Sequence, residues 1–295
     1  WGIGFFSPEL VTSALQTTPL RAADLTAPAE LATALRDAPT PAAEHLRRRL
    51  SPAFQAQLAG LRDTNAPGAD LPSALVAELN RLVQGDNLYD EAAFKEVSLK
   101  KNTINLLNKV NTHPQPADRA FLNRQLLEQA LPGMVSPIQQ YIDTVRSRGL
   151  LLQDAGALLG MMAFTFVASY LNRRRAFLGA FILCLVATAY VFYSLKSETD
   201  AYWMLPMMGF AQLAVFAGYS IYFPELYPTR LRGTGVGLCY NVVRFLTVPF
   251  NLLMGQLSIW FSFRIAAVIL SGIYVLGIVA LIWAPETKDQ PLPED

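Results

Sequence analysis

The chain is poor in charge, cysteine and histidine. Charged residues make up 16% of its 295 positions, against about 25% in ordinary soluble domains. That shortage argues against a water-soluble enzyme as a reading of the whole chain. The two cysteines, Cys184 and Cys239, both fall inside apolar runs, where a thiol acts as a small hydrophobe. A disulfide framework and a cysteine-based zinc site are therefore excluded. His45 and His113 stand apart in polar sequence, so no metal-ligand pair and no cofactor is expected. The formal net charge of +1 gives no electrostatic basis for a nucleic-acid partner.

What the chain has instead is apolar length. Hydrophobic residues make up 52% and the mean hydropathy is +0.27. Residues 1–148 hold 15 Lys and Arg and 15 Asp and Glu, whereas 149–295 hold 9 and 8, nearly all outside long apolar runs. The first half reads as soluble and the second as membrane-embedded. A bilayer core of about 30 Å needs about 20 apolar residues in a helix. Five runs reach that length: 150–171, 176–195, 201–223, 234–257 and 265–284. Pro285 stops the last one. The runs do not alternate in polarity, as barrel strands would, so the expected fold is an all-α polytopic membrane protein. Trp1 opens an apolar stretch that reads as the end of a further membrane helix, so the chain is expected to be a fragment.

Short loops set the orientation. Arg173, Arg174 and Arg175 follow the first run, and Arg230 and Arg232 follow the third. Lys196 and Arg264, with Arg146 and Arg148, fall on the other side. Clustered arginines in short loops mark the cytoplasmic face. The tail 286–295 is then cytoplasmic, and the segment before Leu150 lies outside.

Polarity is uneven among the spans. The second and fifth runs carry no charged or amide side chain, and such helices can face lipid all round. The first carries Gln153 and Asp154 near one end. The third carries Gln212 and Tyr219, seven residues apart and so on one face. The fourth carries Asn241, Arg244 and Asn251, at offsets that fall on one helical stripe. Arg244 lies roughly 15 Å along that helix, about mid-bilayer, where an arginine costs about 2.5–3.5 kcal/mol. It needs a partner or a wet cavity, and it is the expected contact for an anionic or polar solute. Asn241, Asn251, Gln212, Tyr219 and Asp154 are the other candidates for that pathway. Gly156 and Gly160 form a small-xxx-small pair for close helix packing. Pro206 and Pro249 interrupt the third and fourth spans near their polar residues, as in transporter sites.

The stretch from Tyr222 to Gly237, YFPELYPTRLRGTGVG, resembles the loop between the tenth and eleventh helices of the major facilitator superfamily. The likeness is to its sugar-porter and metabolite–proton symporter branches. Asn172-Arg-Arg-Arg-Ala176 is similar to a degenerate form of the basic loop between the eighth and ninth helices, without its Asp-Arg-x-Gly opening. Pro285-Glu-Thr-Lys-Asp289 resembles the Pro-Glu-Thr-Lys motif after the twelfth helix, with Asp289 where a glycine is usual. The resemblance makes residues 1–11 the end of the seventh helix and the five runs the eighth to twelfth. It implies that the ninth and twelfth are peripheral and that the others line the cavity. It also implies that Glu225, Arg230, Arg232 and Arg173 to Arg175 form a cytoplasmic gate.

On this reading the chain is the C-terminal half of a proton-coupled transporter of the bacterial inner membrane. Its partners would be lipid, a small polar solute, protons and an N-terminal half. Symport comes from the resemblance alone, since no Asp, Glu or His sits at mid-membrane here, and a proton-carrying carboxylate would be Asp154, near one end, or lie in the missing half. Paired acid–base groups, which an intramembrane enzyme would need, are not visible.

Residues 12–149 depart from the family, whose corresponding loop is short. Prolines cut this insert into short helix-compatible pieces. Leu75, Leu79 and Leu82 form one helical stripe, Leu122, Leu126 and Ala130 a second, and Phe94, Val97 and Ile104 a sparser third. His45, beside Arg47 to Arg49, reads as part of a solvated helix face. The expectation is a loosely packed helical cap. The alternative function is a membrane-anchored binding or sensor protein whose insert does the work.

Overall fold

The computed structural model describes residues 6–60, 71–291 and 293. The chain divides into two compact units, Trp1–Ala14 with Thr144–Asp295, and Leu15–Asp143. Both are helical, and no strand forms among the described residues. An isolated bridge joins Leu25 to Val135.

In the Leu15–Asp143 unit, four helices begin on a proline: α2 (Pro28–Asp37), α3 (Pro41–Arg49), α4 (Pro52–Gly60) and α7 (Pro116–Ala130). Proline suits the first helical position because the N–H it lacks would have no partner there. Thr40 caps α3, its Oγ1 accepting from the Ala43 N–H at 3.1 Å. The remaining helices are α5 (Leu71–Gln84) and α6 (Lys101–Thr112). The two leucine stripes meet in one core, where Leu75, Leu79, Leu122 and Leu126 are fully enclosed.

That core is continuous across the helices, so the unit is better packed than the loose cap expected. Two of its buried polar side chains are also bound. Asn123 is fully buried and accepts from the Leu88 N–H at 2.9 Å while donating to the Val83 and Asp86 carbonyls at 3.1 and 3.0 Å. Arg124, 4% exposed, pairs with Asp24 at 3.0 Å and Glu128 at 3.3 Å. Two readings fail here. Phe94 and Val97 sit in a run of turns, and Ile104 is 44% exposed, so their helical spacing is accidental. His45 is half-buried rather than solvated; its ring meets Phe94 edge-on and its Nε2 is enclosed.

In the other unit, α1 (Ser7–Leu15) overlaps residues 1–11, expected to end a seventh helix, and runs on past them; Trp1–Phe5 lie outside the described residues. Five helices among the described residues are long and apolar enough to cross a membrane. The chain is an all-α, multi-pass membrane protein. The spans are α8 (Ile138–Tyr170), α9 (Arg173–Ser194), α10 (Glu198–Leu226), α11 (Arg232–Trp260) and a fifth that breaks in two. The break falls at Gly272, between α12 (Phe263–Ser271) and α13 (Ile273–Ala280). α8 starts twelve residues before its apolar run, because Ile142 and Val145 give its polar beginning a buried side. Ser197 and Asp200 cap α10 reciprocally, at 3.2 and 3.0 Å.

Helix packing follows the small residues. A Cβ on Gly156 would run into the Pro206 backbone, one on Gly160 into that of Phe210, and one on Gly209 into that of Gln153. α8 and α10 thus touch backbone to backbone. α9, although free of charged and amide side chains within its apolar run, does not face lipid on every side. It packs against α10, α12 and α13 and buries Phe177, Phe181, Cys184 and Phe192. Only its other side, with Val186 and Tyr193, is exposed. Ala266, Ala267 and Leu270 of the fifth span are buried as well. Between helices the association comes from shape and small residues, so an absence of polar groups does not by itself mean lipid on every side.

Candidate functional site

The tight two-residue link between α8 and α9 places Arg173 beside the last turn of α10. There its guanidinium meets Glu225, with Nη2 to Oε1 at 2.8 Å and Nε to Oε2 at 3.3 Å. Arg173 Nη1 also donates to the Ala168 carbonyl at 2.5 Å. Both charged side chains are about four-fifths covered, 17% and 21% exposed. Pairing of this kind is charge-assisted and bidentate.

The segment after α13 closes the cluster. Glu286 caps α9, accepting from the Arg173 N–H at 2.8 Å and the Arg174 N–H at 3.2 Å. A carboxylate suits a helix start, where N–H groups lack partners and the dipole is positive. Burial pushes the Glu286 pKa up, but the N–H groups of Lys288, Arg173, Arg174 and Thr287 outweigh it and hold the carboxyl below its ordinary value. Thr287 Oγ1 donates to Glu225 Oε2 at 2.5 Å, and Lys288 Nζ to the Tyr170 carbonyl at 2.9 Å. Tyr222 donates to the Pro285 carbonyl at 2.7 Å. Three segments distant in sequence are thereby clasped together.

Of the six residues expected at a gate, Arg173 and Glu225 are at the centre of this clasp. Arg174 joins it from one side, donating to the Leu281 and Ile282 carbonyls at 3.1 and 3.4 Å. Arg232 donates from Nε to the Pro224 carbonyl at 3.0 Å, and its buried Nη2 has no hydrogen-bond partner. Arg175 and Arg230 are exposed. Sequence reasoning missed Glu286, Thr287 and Lys288 as members. The signal was present in the Pro-Glu-Thr-Lys motif, which reads by eye as a polar tail.

The pathway candidates fall in three places. Gln212 and Tyr219 share a face of α10, and that face turns to α9. Gln212 Nε2 donates to Thr188 Oγ1 at 3.4 Å, and the Tyr219 ring stacks on Phe177 and Phe223 at 5.5 and 5.1 Å. Asn241, Arg244 and Asn251 are exposed on α11, where Asn241 Nδ2 donates back to the Gly237 carbonyl at 2.8 Å. The apolar sides of α11 are open too, with Val243, Phe245 and Leu252 all at least half exposed. Asp154 is exposed on α8. No group of metal-ligating side chains occurs among the described residues.

No protein-family model matches the chain, and no solved structure does. Curated relatives exist, however. The chain is 33% identical over 131 residues to a solute carrier family 22 member 15-like protein of Xenopus laevis, covering 43% of this chain and 26% of that protein. It is 31% identical over 140 residues to the inner membrane metabolite transport protein YgcS of Escherichia coli, covering 46% and 30%. It is 26% identical over 136 residues to the cis,cis-muconate transport protein of Acinetobacter baylyi, covering 45% and 32%. Their names agree with the resemblance to the major facilitator superfamily carried by residues 222–237 and 285–289. The chain spans about a quarter to a third of the length of these relatives. Each is named for transport or as a solute carrier, and none as an enzyme.

Proposed function

We propose that this chain is of the major facilitator type and forms part of a secondary transporter that moves a small polar metabolite, a sugar or an organic acid, by alternating access. The observation that carries the reading is its similarity to proteins named for metabolite and muconate transport. Proton coupling and a place in the bacterial inner membrane belong to the same proposal, as does an N-terminal half that completes the cavity.

Within this reading, Arg244 supplies the cationic contact and Asn241 and Asn251 extend it along α11. Gln212, Tyr219 and Asp154 border the route. An exposed guanidinium at bilayer depth costs about 2.5–3.5 kcal/mol against lipid, which favours protein or water over that stripe. The clasp of Arg173, Arg174 and Glu225, with Arg175, Arg230 and Arg232 around it, acts as the cytoplasmic gate. A solute switches such a gate only by binding its two states unequally.

The test is uptake by the full-length protein in proteoliposomes, using a panel of labelled sugars and organic acids. Arg244→Ala is expected to reduce uptake about tenfold, the effect of losing one charge-assisted contact. Unchanged uptake removes Arg244 from the pathway; no uptake of any solute by the intact protein removes the transporter reading. Collapse of the proton gradient is expected to abolish accumulation.

One observation favours a second reading, a binding or sensor role for the insert. The Leu15–Asp143 unit has its own core and a cavity of about 750 Å³ lined in part by Thr40, Ser98, Glu128 and Gln129. Excision of that unit separates the two readings: uptake that survives belongs to the membrane part.

A further inference from the structure

A groove of about 540 Å³ lies where the start of α9 meets the end of α13. Its rim is polar, with Asn172, Arg174 and Arg175, and its walls are apolar, with Leu178, Ile278 and Ile282. Arg174 is held in place by the Leu281 and Ile282 carbonyls it donates to, just past α13. Arg175 is exposed and makes no side-chain hydrogen bond or ion pair among the described residues. Glu286 also lines the groove, but its charge is turned inward. Oε1 accepts from the Arg173 and Lys288 N–H groups at 2.8 and 3.1 Å, and Oε2 from Arg174 at 3.2 Å. The groove therefore offers two guanidinium groups, while its one carboxylate, Glu286, is engaged by three backbone N–H groups.

The apolar walls continue away from the rim. Val186 and Ile182 on α9, and Val279 and Val275 on α13, are 41–59% exposed. An anionic group at the rim and a hydrocarbon chain along these two helices would satisfy both halves of the surface at once. A soluble anion would leave the walls uncovered, and a neutral lipid would leave Arg175 unpaired.

We propose that this groove is a binding site for an anionic phospholipid, with its phosphate between Arg174 and Arg175 and its acyl chains along α9 and α13. The groove borders the clasp and shares Arg174 and Glu286 with it, but the proposal concerns a lipid and does not depend on the solute pathway.

The test places the purified chain in nanodiscs of phosphatidylcholine containing a minor fraction of phosphatidylglycerol with a photoactivatable acyl chain. Crosslinked peptides are then mapped by mass spectrometry. Crosslinks are expected on α9 and α13, and Arg175→Gln is expected to lower them about fivefold, the effect of one basic residue at an anionic surface. Arg175→Lys is expected to keep most of the labelling. Equal labelling of Arg175→Gln and the unaltered chain overturns the site, as does equal capture of photoactivatable phosphatidylcholine. Displacement of the lipid by millimolar inorganic phosphate also overturns it, in favour of a soluble-anion site. If Arg175→Gln loses helical content by circular dichroism, a salt titration of the unaltered chain decides instead, and labelling that does not fall with salt overturns the proposal.

Discussion

The guanidinium of Arg173 grips the carboxylate of Glu225 through two N–H donors, at 2.8 and 3.3 Å, although 52 positions separate them in sequence. The same Glu225 oxygen that receives Nε also accepts from Thr287. One carboxylate thus ties the start of α9, the end of α10 and the segment beyond α13 into a single polar knot, with little water around it.

Glu225→Gln keeps the size of the side chain but removes the charge. It is expected to destabilise the membrane unit by about 1.5–3 kcal/mol, the range for a hydrogen bond to a charged group. Thermal melting in detergent measures this. Under the transport reading, uptake by the full-length protein falls as well, and Glu225→Asp recovers part of it.

Glu286 gives a pH dependence with a definite sign. Its native carboxyl lies below the ordinary value, which is about 4.3 in an unfolded chain. Its stabilising effect is therefore complete above about pH 5 and fades as pH falls through the lowered native value. Melting temperature is expected to drop on acidification below about pH 4.5, and Glu286→Gln is expected to show a smaller drop over the same interval. Identical profiles would count against the helix-capping role.

Backbone contact between α8 and α10 leaves no room at Gly160, where any side chain would meet Phe210. Gly160→Val is expected to cost about 1–3 kcal/mol through overpacking. Gly179→Ala is the control, since a Cβ there meets nothing within 4 Å. Helical content and melting of the two variants side by side provide the check.

In the Leu15–Asp143 unit, Asn123→Ala would strand the Leu88 N–H and the Val83 and Asp86 carbonyls in a buried turn. The expected loss is about 2–4 kcal/mol, and it is expected to appear as faster amide exchange over 83–88. Asn123→Asp is expected to be damaging too, because it cannot donate to the two carbonyls.

The spans were readable because a run of about 20 apolar residues matches the thickness of a bilayer and exceeds what a soluble core helix needs. The leucine stripes at Leu75 and Leu122 were readable because their spacing and their burial agree. The third stripe failed because Phe94 and Val97 keep helical spacing in a segment that only turns. The break at Gly272 was hidden, since a glycine in an apolar run carries no sign of whether the helix continues. Of the candidate site, Arg173 was visible as a charge in a short loop and Glu225 through the resemblance carried by residues 222–237. Glu286 and Thr287 were not, because their importance lies in backbone N–H groups and a carboxylate more than 60 positions away. His45 misled for a related reason: its arginine neighbours suggested solvent, while its ring found Phe94 through tertiary contact.

Because Pro285 to Lys288 fasten α8 through Tyr170, α9 through the Arg173 and Arg174 N–H groups, and α10 through Tyr222 and Glu225, they are an interior fitting rather than a trailing end. A fluorescent or affinity tag joined upstream of Lys288 would pull that fitting out, whereas the same tag joined after Gln290 would leave it seated. For anyone engineering reporters into this protein, those few positions decide whether the readout comes from an intact membrane unit or from a loosened one.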